Sequence, residues 1–335
     1  MYYRPLAQFG PDRPAGALDL AGGWCWFTEV AVHARDAAPH RMAADDLPED
    51  MRERLTRPRT PIAGMSMDAP RVMGILNVTP DSFSDGGLFD DPAIALAHAR
   101  AMQAAGADII DIGGESTRPG AADVSVDQEI ARTAPVIAAI RARSDVPISI
   151  DTRKAAVAEA AIAAGAGLLN DVAAFSYDPD LAGVTARAGL PVCLMHAQGD
   201  PATMQQDPRY DDVLLDVYDF LSERVEMAVA AGIPRDQIVV DPGIGFGKTL
   251  AHNLTLLRGL SLFHALGCPI LLGASRKRFI GTIAGAEKAA DRVAGSVSVG
   301  LHGVRQGVQF LRVHDTYETR QALDLELAIN GAVTE

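Results

Sequence analysis

Cysteines, tryptophans and uninterrupted apolar runs are all scarce in this sequence. The three cysteines, Cys25, Cys193 and Cys268, are an odd number with no Cys-x-x-Cys spacing. Neither a disulfide framework nor a cysteine zinc site is therefore expected, and a reducing, cytoplasmic compartment fits. No apolar stretch approaches the ~20 residues that span a bilayer. The most apolar early stretch, residues 15–32, is interrupted by Asp19 and Glu29, so neither an export signal nor a membrane anchor is expected. Positive charge is also short. Thirty lysines and arginines against 43 acids leave a net charge of −13, the wrong field for general binding to nucleic acid or to an anionic membrane. Any anion site must be a local cluster.

What is present is the composition of a globular protein, 48% hydrophobic and 22% charged. A chain of 335 residues suits one large domain with an appendage. Residues 1–70 read as that appendage and its linker. They hold both tryptophans (Trp24, Trp26), an acidic stretch at Asp45–Asp50 and a run rich in Pro and Arg from Thr56 to Pro61.

From Arg71 onward, residues 71–335 alternate short aliphatic runs with longer Ala-rich stretches, the pattern of βα units on a parallel sheet. Eight runs are predicted as strands: Val72–Leu76, Asp108–Ile112, Pro147–Ile150, Gly167–Leu169, Pro191–Met195, Ile238–Val240, Ile270–Leu272 and Gln309–Val313. Between them, Ser125-x-x-Gln128 is a capping box opening a helix over Val126–Arg143, and Tyr210–Ala231 is a long amphipathic helix. Polar residues end nearly every strand: Asn77, Asp111 and Glu115, Asp151, Asn170, His196, Asp241, Ser275 and His314. From Asn77 to His314, seven steps cover 237 residues, about 34 per step, which suits one βα unit each. A doubly wound open sheet places its ligand at one switch point, whereas a barrel brings all its strand ends to one site. The expected fold is therefore an α/β (β/α)8 TIM barrel with an N-terminal appendage, whose chemistry begins after Arg71 and is expected to survive removal of residues 1–66.

The loops carry the chemistry. Asn77-Val-Thr-Pro-Asp-Ser-Phe83-Ser-Asp-Gly-Gly87 is long and polar for a βα loop and reads as a lid hinged at its glycine pair. Gly113-Gly-Glu-Ser-Thr117-Arg118-Pro119-Gly120 sets a hydroxyl and a guanidinium between glycines. Asp241-Pro-Gly-Ile-Gly-Phe246-Gly-Lys248-Thr249 superficially suggests a P-loop, but the first glycine of that motif falls on Pro242. A tight turn aiming Asp241 and Phe246 into the barrel mouth fits better. Ser275-Arg276-Lys277-Arg278 and Arg312-Val-His314-Asp315 set cations at neighbouring strand ends, with Arg312 and His314 on one side of their strand. In so acidic a chain that is an anion site, and a phosphate-bearing substrate is its simplest occupant. Asp151, Asn170 and Asp241, from three strands, supply acceptors for a flat polar heterocycle, and Lys277 a donor.

These five motifs, in this order and spacing from roughly Arg71 to Leu323, resemble the dihydropteroate synthase family, the pterin-binding sulfonamide targets of the folate pathway. Residues 1–70 lie outside the resemblance, and Ile244 stands where the family often has Phe. The resemblance implies a transferase that condenses (7,8-dihydropterin-6-yl)methyl diphosphate with 4-aminobenzoate, giving 7,8-dihydropteroate and diphosphate, with Mg2+ as cofactor. Asp151, Asn170, Asp241 and Lys277 would hold the pterin with Phe246 beside it. Arg312, His314 and Asn77 would hold the diphosphate and its metal. Thr117, Arg118, Pro119, Phe83 and Ser275 would form the 4-aminobenzoate pocket, and Lys277, Arg312, His314 and Asp151 would carry the catalysis. A homodimer through the late helices is also implied, with small-molecule substrates and neither nucleic acid nor membrane as partner. Two other functions use related barrels: a pterin-dependent methyltransferase and a non-catalytic pterin-binding paralogue. The first has no need of the Ser-Arg-Lys and Arg-Val-His cluster, and the second is expected to lose at least one of Thr117, Arg118, Lys277 or His314, all of which are present.

Overall fold

The computed structural model describes residues 1–78, 92–116, 123–199 and 204–331. Eight parallel strands form one sheet. In chain order they are Arg71–Asn77, Ile109–Gly113, Ile148–Asp151, Leu168–Asp171, Val192–Met195, Ile238–Asp241, Leu271–Leu272 and Phe310–Val313. Each of the first six pairs with its neighbours in sequence, and the eighth lies between the first and the seventh. A parallel bridge from Val240 to Ile270 joins the sixth strand to the seventh and brings the sheet round to a near-closed barrel. All eight strands stand within two residues of their predicted positions. Their Val, Ile and Leu runs are buried on both faces, as strands between a barrel interior and a ring of helices must be.

The interior changes character at one level. Met73, Ile109, Leu168, Cys193, Val239, Leu271 and Phe310 form an apolar floor, closed from below by Ile62 and Met67 of the linker. Strand side chains alternate between faces, so the next inward residue lies two positions along. Above Ile109 that residue is Asp111, above Leu168 Asn170, above Val239 Asp241 and above Phe310 Arg312. Asp151 enters the same layer by register, opposite Asn170 on one side and Gly113 on the other. Three carboxylates, an amide and a guanidinium therefore crown an apolar plug.

The outer helices begin where local chemistry sets them. Ser125 accepts the Gln128 N–H at 3.3 Å to open Val126–Arg141. Asp212 accepts from Leu214 and Leu215 at 3.0 and 3.2 Å and starts Val213–Ala230. That cap explains why the helix begins three residues later than the predicted Tyr210: an N-cap side chain takes the first orphan N–H groups and fixes the start. Among the described residues no helix is long and apolar enough to cross a membrane.

Residues before the barrel form two three-stranded antiparallel sheets and the helix Glu49–Thr56. They enclose their own cluster of Leu20, Cys25, Phe27, Val30, Val32 and Leu55, which takes in Ala265 of the barrel. The Trp24 indole donates to Val304 O at 2.8 Å, Ser261 Oγ to Pro5 O at 2.8 Å, and Arg59 to His264 O at 3.1 Å. Arg35 reaches Asp216 at 2.7 Å and Asp219 at 2.6 Å. The appendage is thus docked on the barrel. Ile62, within the stretch expected to be dispensable, is fully buried in the barrel floor.

Candidate active site

Arg312 is the centre of the polar layer. Its Nε donates to Asp111 Oδ2 at 2.6 Å and its second terminal nitrogen to Asp151 Oδ2 at 2.7 Å. Asn170 also donates to Asp111 Oδ2, at 3.2 Å. Gly273, at the end of the seventh strand, has no side chain to fill the space beside Asp241 and Arg312; an added Cβ would lie 3.5 Å from Asp241 Oδ2 and 4.0 Å from Arg312 Cδ. Burial raises the Asp151 carboxyl, and the neighbouring Asp111 adds to the rise while Arg312 opposes it. Burial likewise pushes Asp241 up to about 6, against the Gly243 N–H and the cations Lys277, Arg312 and Lys248. In both acids desolvation outweighs the nearby cations, so hydrogen-bond donors from a ligand would favour the charged form.

The sequence reading gives Asp111 no site role, and the structure puts it inside the site, fully buried. Arg312, assigned from sequence to the diphosphate, has two nitrogens committed to the carboxylates of Asp111 and Asp151. The signal for Asp111 was its phase: it lies two residues before Gly113, on the inward face with Ile109.

The turn after the sixth strand lies directly on the end of the fifth. Gly243, Gly245 and Gly247 all take positive φ, at 68°, 84° and 62°, and a Cβ on Gly243 would stand 1.8 Å from His196 O. Asp241 Oδ1 accepts the Gly243 N–H at 2.7 Å, which fixes the carboxylate to its own turn. Lys277 Nζ lies 3.9 Å from the centre of the Phe246 ring, a cation–π contact. Lys248 is buried behind that turn, with Nζ 2.9 Å from His196 Nδ1 and 2.9 Å from Phe246 O.

At the ends of the seventh and eighth strands, Ser275 Oγ is 3.0 Å from His314 Nδ1 and accepts the His314 N–H at 3.2 Å. Between Ser275 and Lys277, Arg276 takes a positive φ of 56°. That strained turn is held by Arg276 Nε on Asp315 at 3.0 Å and by the Arg276 N–H on Ser296 Oγ at 2.8 Å. Its effect is to separate Lys277, which points to Phe246, from Ser275, which points to His314.

Asn77 ends the first strand opposite Gly113. Its Oδ1 lies 3.6 Å from where a Gly113 Cβ would be, beside Asp151. Among the described residues no group of three or more His, Cys, Asp or Glu is placed to hold a metal. Phe83, Thr117, Arg118 and Pro119, and most of the segment read as a lid, lie outside the described residues. The structure does show what flanks 117–122. Glu115 accepts from Val124 N–H at 3.1 Å, Lys154 at 3.2 Å and Arg153 at 3.2 Å. Lys154 also donates to Val124 O at 2.6 Å and to buried Glu129 at 2.8 Å.

Residues 73–314 match the model of the pterin binding enzymes. A dihydropteroate synthase of Escherichia coli is 47% identical over 262 residues, 78% of this chain and 92% of that protein. The chain belongs to the dihydropteroate synthase family of pterin-binding enzymes. A solved Xanthomonas albilineans dihydropteroate synthase with 4-aminobenzoic acid is 46% identical and superposes with a TM-score of 0.77, covering 83% of this chain and 99% of that one. The same enzyme in complex with 7,8-dihydropteroate gives a TM-score of 0.75 at 44% identity, covering 83% and 100%. The family match begins at Met73, inside the first barrel strand, which leaves the appendage outside it.

Proposed function

We propose that this protein condenses (7,8-dihydropterin-6-yl)methyl diphosphate with 4-aminobenzoate, giving 7,8-dihydropteroate and diphosphate for folate biosynthesis. The observation that carries the reading is the layer of Asp111, Asp151, Asn170, Asp241 and Arg312 set directly on an apolar floor. A flat heterocycle with several N–H donors and a carbonyl matches it. Asp151, Asn170 and Asp241 would accept or exchange hydrogen bonds with the pterin edge, and Lys277 would donate to its acceptors beside the Phe246 ring. Arg312 holds two of the carboxylates in place and would face the diphosphate, together with His314.

An aromatic amine is neutral at pH 7 and needs no base to attack. The barrier lies in the methylene–oxygen bond, whose electron pair leaves with the diphosphate while the amine nitrogen bonds the methylene carbon and sheds a proton. Catalysis is therefore electrostatic: cations at the departing oxygen and carboxylates near the ring that gains positive character. We favour a dissociative path, with Asp151 and Asp241 supporting the electron-poor methylene. His314, oriented by Ser275, and Arg312 would meet the leaving group. The donor set fits Mg2+, which takes few protein oxygens and completes its shell with phosphate and water. Asn77 would be its protein ligand, and the ion, when bound, would neutralise diphosphate charge.

Ser275 would meet the 4-aminobenzoate together with Thr117, Arg118, Pro119 and Phe83. A homodimer is supported by exposed apolar side chains on late helices, Ile283 at 59%, Tyr317 at 60% and Leu325 at 61% exposure. A cytoplasmic site is supported by three buried, unpaired cysteines. The test of the reaction is one assay with the pterin diphosphate, 4-aminobenzoate and Mg2+. Dihydropteroate and diphosphate in equal amounts are the expected result, and pterin binding without product would overturn it.

A further inference from the structure

The turn Asp241–Lys248 carries two groups assigned to the pterin, Asp241 and Phe246; Ile244 anchors its middle in the core at 0% exposure, while its three glycines, all at positive φ, bring no side chains to hold the rest. Its outer edge is tied by Gly245 N–H to Asn253 Oδ1 at 2.7 Å and by Tyr210 OH to Gly247 O at 2.8 Å. Its inner edge rests on Lys248. That side chain is 3% exposed. It bridges the end of the fifth strand, through His196 Nδ1 at 2.9 Å and His196 O at 3.4 Å, to the turn itself, through Phe246 O at 2.9 Å. A buried ammonium is costly when an apolar side chain of similar length would fill the same space.

We propose that Lys248, acting through His196, is a positioning residue for pterin recognition: it fixes the Phe246 carbonyl, and with it the ring that Lys277 covers, while its charge supports Asp241. The imidazole is the matching acceptor. Burial and the charge of Lys248 push His196 down to about 2, so the ring is neutral and Nδ1 can accept. The charged and titratable groups around Lys248 are Asp241 and Lys277 on the site side, with His196 and, farther out, His252. Burial brings Lys248 itself down to about 7, with Lys277 adding and Asp241 opposing, so it is cationic where Asp241 titrates.

The inference rests on the pterin reading, and one series of measurements separates the two. Binding of a 6-hydroxymethyl dihydropterin is followed by calorimetry from pH 5 to 8, alongside thermal unfolding, for the native protein and for Lys248→Met, His196→Asn and His196→Leu. Asparagine can place its Oδ1 near the position of the His Nδ1, so His196→Asn keeps the acceptor and His196→Leu removes it. Expected are affinity at least tenfold weaker in Lys248→Met, with its acid limb moved to higher pH as Asp241 loses a cation. His196→Leu weakens binding similarly and His196→Asn recovers most of it. A merely structural role would lower the unfolding temperature without moving the limb. Unchanged affinity and limb in folded Lys248→Met overturn the proposal; should that variant not fold, equal weakening in the two His196 variants does so. A native protein that binds no pterin overturns the pterin reading itself, and this inference with it.

Discussion

Arg312 and Asp111 meet across the barrel interior, Nε to Oδ2 at 2.6 Å, with Asp111 fully buried. The pair joins the second strand to the eighth, and the second terminal nitrogen of Arg312 adds Asp151 of the third. Removing one partner of such a pair leaves the other buried and under-compensated, at a cost of about 3–5 kcal/mol. Asp111→Ala should lower unfolding free energy by that amount in denaturant titrations and weaken pterin binding as well. A loss below about 1 kcal/mol would mean that Arg312 is satisfied without Asp111.

Lys277 and Asp241 are both proposed to meet the pterin: Lys277 Nζ lies 3.9 Å from the centre of the Phe246 ring, and Asp241 begins the turn that carries that ring. Truncating a charged partner in a desolvated pocket costs on the order of 2–5 kcal/mol. Lys277→Ala and Asp241→Ala should each weaken a pterin analogue to that extent in calorimetry. Unchanged affinity in both variants would remove them from the pocket.

The acid limb of pterin binding follows from Asp241. Its carboxyl is raised by burial from 3.8 to about 6, so the folded protein favours the protonated form. The stability this contributes is complete below pH 3.8 and is lost as pH rises through about 6. Acceptance of ligand N–H groups has the opposite sense and requires the carboxylate. Pterin affinity should therefore fall as pH drops through about 6, while unfolding free energy gains a stabilising contribution from this group. Affinity that stays flat from pH 5 to 7.5 would contradict the assignment.

Ile62 lies in the barrel floor and the appendage docks through Trp24, Arg59 and Arg35. Ile62→Ala should cost about 2–5 kcal/mol, the usual penalty for emptying a filled core site. Deleting residues 1–66 should cost more and give poorly soluble protein. A soluble deletion variant with the native unfolding temperature would show that the barrel closes its own floor.

The barrel was legible because its strands are short aliphatic runs buried on both faces and nearly all ended by a polar residue, a signal that survives without any knowledge of contacts. The same signal found Asp151, Asn170 and Asp241. Asp111 was visible as a polar residue at the end of the second strand, but its role was not, because Arg312, the partner that defines it, lies 201 residues later. Lys248 looked like part of a failed P-loop, and its partner His196 is 52 residues away. The appendage was legible only as a change of composition: its strand Ala37–Ala43 is exposed at almost every position and carries no alternation to read.

A crystal structure with a bound dihydropterin would locate the ligand relative to the polar layer above the barrel floor, where the pterin is proposed to sit. The ring is expected to lie over the apolar floor, its edge within hydrogen-bond distance of Asp151, Asn170 and Asp241, with Lys277 and Phe246 alongside. A pterin bound anywhere else, such as against the docked appendage, with Arg312 still closed on Asp111 and Asp151 beneath an unvisited pocket, would contradict it.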